Sequence, residues 1–303
     1  MKQIYISPHS DDVALSCGGQ IIADAGRRAE TLILNIFTSD PQCDDMPPSE
    51  SSGSFGTAIN SQRTAEDSAA WASVGVEADY VRYPEALLRK KFPFTFRASP
   101  RPDDVTDALC KTLVGYINSY PEARFYFPAG IGNHIDHVAC RQVGFRLLKQ
   151  GALSSITLYE DVPYAWLRFI RSQFYRALRR DVDLQDLRDT RRRDGLSILQ
   201  YLAPGAVPFP NGRRLFTLVY AALAAAGQTA RLARAAQPYS GRLISVQLDD
   251  DLVQKKKALL YHYASQIPML FGPHPEQVLA RLGESLSREI AVEVSQKPAR
   301  TLA

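Results

Sequence analysis

Cysteine is scarce in this chain. Cys17, Cys43, Cys110 and Cys140 are the four among 303 residues, far apart and without a Cys-x-x-Cys pair. That spacing excludes a Cys-rich metal knuckle and argues against a disulfide framework, so reduced thiols are expected. Long apolar runs are also missing; none reaches the roughly 18 residues that a membrane-spanning helix needs. Charge of one sign is not in excess: 36 Lys and Arg against 32 Asp and Glu leave a net charge of +4, too weak for a nucleic-acid footprint. Residues 2–7 read as a strand, which leaves no space for the charged and apolar regions of a secretory leader. The cytoplasm is the expected compartment. Histidine is rare as well, and three of the five fall in two short clusters.

What is present begins with Ile4-Tyr5-Ile6-Ser7-Pro8-His9-Ser10-Asp11-Asp12, an apolar run that breaks at a proline and delivers a histidine and two carboxylates. Leu15–Gly26 reads as a helix and Thr31–Phe37 as a strand apolar on both faces, as a sheet covered on both sides requires. Residues 39–60 are a Ser/Gly/Pro/Asp-rich loop, long enough to be a binding loop or lid. A helix over Ser61–Val74, a strand over Ala78–Tyr83 and a helix opened by Pro102-Asp103-Asp104 follow. Arg124–Phe127 reads as the fourth strand, Asp136–Lys149 as a helix and Ser155–Tyr159 as the fifth strand.

Strands alternating with helices in this way give an α/β fold, a doubly wound and mostly parallel sheet. With strand order 3-2-1-4-5, the first and fourth strands meet at the switch point, where ligands bind beyond the carboxyl ends. The residues just past those two ends are His9–Asp12 and His134–His137. Beyond residue 165 the pattern weakens. Trp166–Asp194 holds nine arginines against five aspartates and reads as helical, a solvated face or a dock for an anionic surface. Residues 203–212 read as a turn, Leu215–Ala226 as a helix buried or lying at a membrane interface, Leu243–Leu248 as a strand and Asp250–Ser265 as an amphipathic helix. The expected organisation is one domain over 1–303, with a core at 1–165 and a largely helical C-terminal elaboration.

His9, Asp12 and one histidine of His134-Ile135-Asp136-His137 could supply a His₂-Asp set, leaving a position open for water, as catalytic zinc requires. Asp11 would then be free to deprotonate that water, and the other histidine to meet a developing oxyanion or a leaving group. Asp136 could orient an imidazole from behind. These are the parts of a metal-dependent hydrolase of amides or esters. The competing readings are local: an aspartate capping the helix after His9, and a helix start at His134.

Pro8-His9-Ser10-Asp11-Asp12 with Leu15-Ser16-Cys17-Gly18-Gly19 resembles the first signature motif of the LmbE/PIG-L family, and Pro128 with His134-Ile135-Asp136-His137 resembles the second. That family comprises zinc-dependent N-deacetylases acting largely on N-acetylglucosaminyl compounds. The resemblance implies a Rossmann-like three-layer sandwich and one zinc, or another divalent ion, on His9, Asp12 and His137. It further implies Asp11 as general base, His134 as the electrophilic or acid residue, and Asp136 in support. Arg63 of Arg63-Thr64-Ala65-Glu66, and Glu85 and Arg89 of the segment at Pro84-Glu85-Ala86, resemble the family's substrate-contacting positions; Asn133 is a further candidate. Lys256 with Tyr263-Ala264-Ser265-Gln266 resembles its late motif. Ser10, Val13, Glu85 and Tyr263 replace the usual Pro, Glu, Asp and His. The implied substrate is a small N-acetylated molecule, an amino sugar or its relative, with no nucleic-acid partner and at most peripheral membrane contact. Two rivals are weighed. A two-metal phosphoesterase needs more bridging carboxylates than this site offers. A non-catalytic protein would dock anionic glycan or membrane through the Arg-rich segment.

Overall fold

The computed structural model describes residues 1–40, 60–95, 104–185, 238–271 and 286–297, with isolated positions between the last two stretches. Strand β1 (Gln3–Ser7) enters helix α1 (Asp12–Gly26), and β2 (Thr31–Asn35), α2 (Asn60–Ser73) and β3 (Glu77–Tyr80) follow. Next come α3 (Asp104–Ser119), β4 (Arg124–Pro128), α4 (Ile135–Lys149), β5 (Ser155–Tyr159), α5 (Arg168–Leu178) and β6 (Val182–Gln185). The last elements are β7 (Tyr239–Gln247), α6 (Asp250–Leu260), α7 (Ile267–Phe271) and β8 (Arg288–Gln296).

One eight-stranded sheet runs in the order 3-2-1-4-5-8-7-6. The expected 3-2-1-4-5 order is therefore present and parallel throughout, and β8 joins it antiparallel to both β5 and β7. Pleating sorts each strand's side chains between two cores. Ile4, Ile6, Leu32 and Leu34 pack with α3, α4 and α5, while Tyr5 and Ile33 pack with α1, α2 and α6. That division makes the three-layer sandwich, and it explains why β1 and β2 are apolar at nearly every position.

The C-terminal stretch holds more sheet than its composition suggested. Among the described residues, the arginine-rich segment is helical over Arg168–Leu178, and Val182–Gln185 pairs in parallel with β7. β7 starts at Tyr239 rather than Leu243, α6 ends at Leu260 rather than Ser265, and β8 was unread. The tip of the 39–60 loop, residues 186–194, 203–212, Leu215–Ala226 and His274 lie outside the described residues. No helix among the described residues is long and apolar enough to cross a membrane.

Candidate active site

The chain passes from β1 into α1 through Pro8–Asp11. Asp11 stands at the N-cap position, yet its side chain makes no capping hydrogen bond. The local reading of this turn therefore does not account for Asp11. Asp12 is instead tied backward: its Oδ2 accepts the His9 backbone N–H at 2.8 Å and lies 3.1 Å from His9 Nδ1. The second cluster arrives from β4, through glycines at positive φ (Gly130 and Gly132), and ends in α4. There the imidazole does cap the helix: His134 Nδ1 accepts the Asp136 backbone N–H at 3.3 Å. In a neutral ring that bond leaves the proton on Nε2, so His134 is a donor toward the cleft.

Because β1 and β4 are neighbours, the two clusters interlock. Asp12 Oδ2 lies 3.2 Å from His137 Nε2, so one carboxylate oxygen sits between nitrogens of two imidazoles. Both imidazoles are held from behind by acids. His9 Nε2 lies 3.2 Å from Asp136 Oδ2, and His137 Nδ1 lies 2.6 Å from Asp161 Oδ1. Asp161 Oδ2 in turn accepts the Ile131 N–H at 2.8 Å. Nitrogens of His9, His134 and His137 all fall within 4.8 Å of one another, a donor set a metal ion can use.

The field follows the geometry. Burial lowers the pKa of His9, but its hydrogen bonds to Asp12 and Asp136 outweigh burial and push the imidazole up to about 9. Burial likewise opposes, and the Asp12 charge overrides, so that His137 is raised. Asp12 is held well below the carboxylate range: burial raises it, but the charge and hydrogen bond of His137 prevail. These groups attract positive charge. Asp11 goes the other way, raised by burial and then by the Asp12 charge, which makes it the more basic of the adjacent pair. His134 is kept neutral by burial and by the positive charge of His9.

A cleft of about 180 Å³ opens over this floor, lined among others by Asp11, Arg63, Glu85, His134, His137 and Gln266. Arg63 is buried, its guanidinium 3.6 Å from Asp11 and 3.7 Å from Glu85, and its Nε has no partner among the described residues. Arg89 and Asn133 are not among the lining residues. Arg89 lies behind, donating to Asp136 Oδ1 at 2.6 Å and to the Pro84 carbonyl at 2.8 Å. Asn133 is buried at φ 57, in the turn that delivers His134. Asp136 supports His9 more closely than His134, whose Nδ1 is 4.0 Å away. Val13 faces the core rather than the cleft, and Tyr263 donates to Asp67 at 2.7 Å. The sequence reading missed Asp161; its signal was an acid two residues past the carboxyl end of β5, on the ligand-binding edge of the sheet.

A doubly wound sheet with a buried His–Asp cluster at its switch point defines the class: a Rossmann-like α/β protein with a metal-suited cleft. Residues 4–148 match the family model described as PIG-L, GlcNAc-PI de-N-acetylase. A 2′-N-acetylparomamine deacetylase of Streptomyces fradiae is 29% identical over 170 residues, covering 55% of this chain and 59% of the relative. A protein of the same name from Niallia circulans is 28% identical over 188 residues, 53% of this chain and 66% of the relative. The chain thus spans under two thirds of the length of these curated relatives. A teicoplanin deacetylase solved in a zinc-inhibited form shares the fold, with TM-score 0.64 over 99% of this chain and 100% of that one at 17% identity.

Proposed function

We propose that this protein is a zinc-dependent hydrolase that removes the acetyl group from an N-acetylated amino sugar or related small molecule. The observation that carries the reading is the placement of Asp12 Oδ2, 3.1 Å from His9 Nδ1 and 3.2 Å from His137 Nε2, beside an Asp11 that caps nothing. His9, Asp12 and His137 would hold the ion, with Asp136 and Asp161 fixing the two far ring nitrogens. This donor set fits zinc, or another divalent ion. When bound, the metal supplies Lewis acidity, acidifying water toward a pKa of about 7 and polarising a carbonyl.

The chain's own groups do the rest. Asp11 accepts the proton of the attacking water as the new carbon–oxygen bond forms. His134 donates from Nε2 to the carbonyl oxygen as that atom gains charge. When the carbon–nitrogen bond breaks, the proton held at Asp11 passes to the departing amine, with His134 assisting, and acetate leaves. Arg63, anchored loosely between Asp11 and Glu85, and Glu85 itself are positioned to meet hydroxyls of the substrate; Arg89 keeps Asp136 in place. We take 1–303 as one domain, supported by the sheet that carries β6–β8 beside β5. A reducing, cytoplasmic setting is supported by the free and buried Cys17, Cys110 and Cys140. The test is acetate release from a panel of N-acetylated sugars, glycolipids and aminoglycosides by the zinc-loaded protein. Turnover of at least one with one zinc per chain is expected. Zinc binding with no acetate released, together with sedimentation on anionic vesicles, would favour the non-catalytic docking reading.

A further inference from the structure

A second cavity, of about 400 Å³, lies between α4 and α5. Among the described residues it shares no lining side chain with the cleft over the histidines. Its volume falls in the range of about 300–1,000 Å³ in which proteins hold small ligands. The turn that delivers His134 stands between the two spaces. Tyr164 of the cleft packs against Gly132, where a Cβ would sit 2.5 Å from its ring, and Arg141 of the cavity packs against Gly130. Arg141 is fixed there, donating from Nη1 to the Ala129 carbonyl at 2.8 Å.

The helical repeat decides what faces this cavity. Arg141, Phe145 and Lys149 recur at every fourth position of α4 and share one stripe, with Arg146 beside them. Cys140, Val143 and Leu147 turn the other way, into the core. A merely solvated stripe would carry charge without rings. Here Phe145 is half-buried, with its centroid 5.4 Å from that of Tyr239 at the start of β7, and Phe174 of α5 adds a third ring to the lining. The other wall is cationic. Arg141, Arg146, Lys149 and Arg180 line it, and among the described residues the exposed Asp181 is the one carboxylate that does. Arg146 also pairs with Asp107 of α3, an exposed contact that salt screens. Rings invite a flat, apolar partner, and guanidinium groups meet phosphate through paired N–H donors. A ligand that satisfies both walls joins a flat ring to a multiply charged anion.

We propose that this cavity binds a nucleotide, with the base against Phe145 and Tyr239 and the phosphates among Arg141, Arg146 and Lys149. The site is separate from the cleft and does not depend on the deacetylase reading. The test titrates ADP, adenosine and pyrophosphate into the full-length, zinc-loaded protein by calorimetry at physiological salt. ADP should bind with a Kd of about 100 µM or tighter, a modest efficiency for a ligand of its size. Adenosine and pyrophosphate should each bind about tenfold or more weakly, because each meets one wall only. Lys149→Glu should weaken ADP by about tenfold through like-charge repulsion. Phe145→Ser should weaken it by a similar factor, about tenfold, through lost stacking. Lys149 is exposed, so its variant decides the matter even if Phe145→Ser fails to fold. Absence of ADP binding overturns the proposal. Pyrophosphate bound as tightly as ADP overturns it too, by reducing the cavity to an anion trap without ring recognition. ADP binding that Lys149→Glu leaves unchanged places the nucleotide elsewhere, on the metal of the cleft for instance, and overturns the site.

Discussion

Helix α1 meets buried charge at two places, and the two are built on opposite rules. At its middle, Glu289 of β8 accepts the N–H groups of Gly19 and Gln20 at 2.8 Å each and pairs with Lys256 of α6 at 2.6 Å. Both Glu289 oxygens are occupied and the charges cancel. Gly19 permits this closeness, since a Cβ there would lie 2.2 Å from Leu248. At its start, Asp11 caps nothing, Arg63 reaches its acids only at 3.6 and 3.7 Å, and the Arg63 Nε is unpartnered among the described residues. Buried ions whose hydrogen bonds are filled hold elements together; buried ions with bonding capacity to spare are held ready for a ligand. Lys256, expected to belong to a functional motif, stands on the structural side of this division.

The contrast can be tested by breaking each cluster in turn. The largest effect is expected at the site: His9→Ala should lose the metal and lower turnover by more than about 10³-fold, because metal chemistry supplies several kcal/mol of barrier lowering. Metal content and acetate release measure both losses, and the fold should persist. Next, Lys256→Met strands Glu289 without its partner and should cost about 3–5 kcal/mol in denaturant unfolding, with little change in turnover of the folded protein. Adding Glu289→Gln to that variant should recover part of the loss. Asp161→Asn should weaken zinc binding by about 10–100-fold in a chelator competition, since it loosens the His137 imidazole.

The smallest effect concerns Asp67, which stands between the two clusters in function. Burial pushes its carboxyl up to about 7, against hydrogen bonds from Tyr263, Tyr80, Asn35 and Trp71. The folded state then keeps a proton that an unfolded chain releases near pH 4, so this group's contribution to stability falls as pH rises from about 4 to 7. Tyr263→Phe should cost about 1–2 kcal/mol and steepen that fall, read from unfolding midpoints across the same pH window.

How much of this was legible depended on whether the signal was local. β1, β2, β4 and β5 announce themselves because strands covered on both faces must be apolar throughout, and the order that joins their ends located the site. His9, Asp11, Asp12, His134 and His137 were legible as dense polar clusters where apolar strands stop. Asp161 was not, because a lone acid after a strand carries no spacing pattern until the fold sets it 2.6 Å from His137. Glu289 was missed with β8, whose pairing partners β5 and β7 lie far away in sequence. The arginine run hid the change from α5 to β6, since charge on a solvated face says nothing about backbone period. Arg89 and Asn133 were legible as neighbours of the site, but the structure sets them behind and beside the cleft, a distinction that side-chain direction makes and spacing cannot.

The most direct measurement is Asp11→Asn, assayed in parallel for zinc content and for acetate release. The proposed function gives two adjacent carboxylates different work: Asp12 would hold the ion and Asp11 would move the proton. The expected result is one zinc per chain, as in the wild type, with turnover reduced by about 10²–10⁴-fold, the usual worth of a general base. An Asp11→Asn protein that releases acetate at the wild-type rate, or that loses its zinc, would contradict that division.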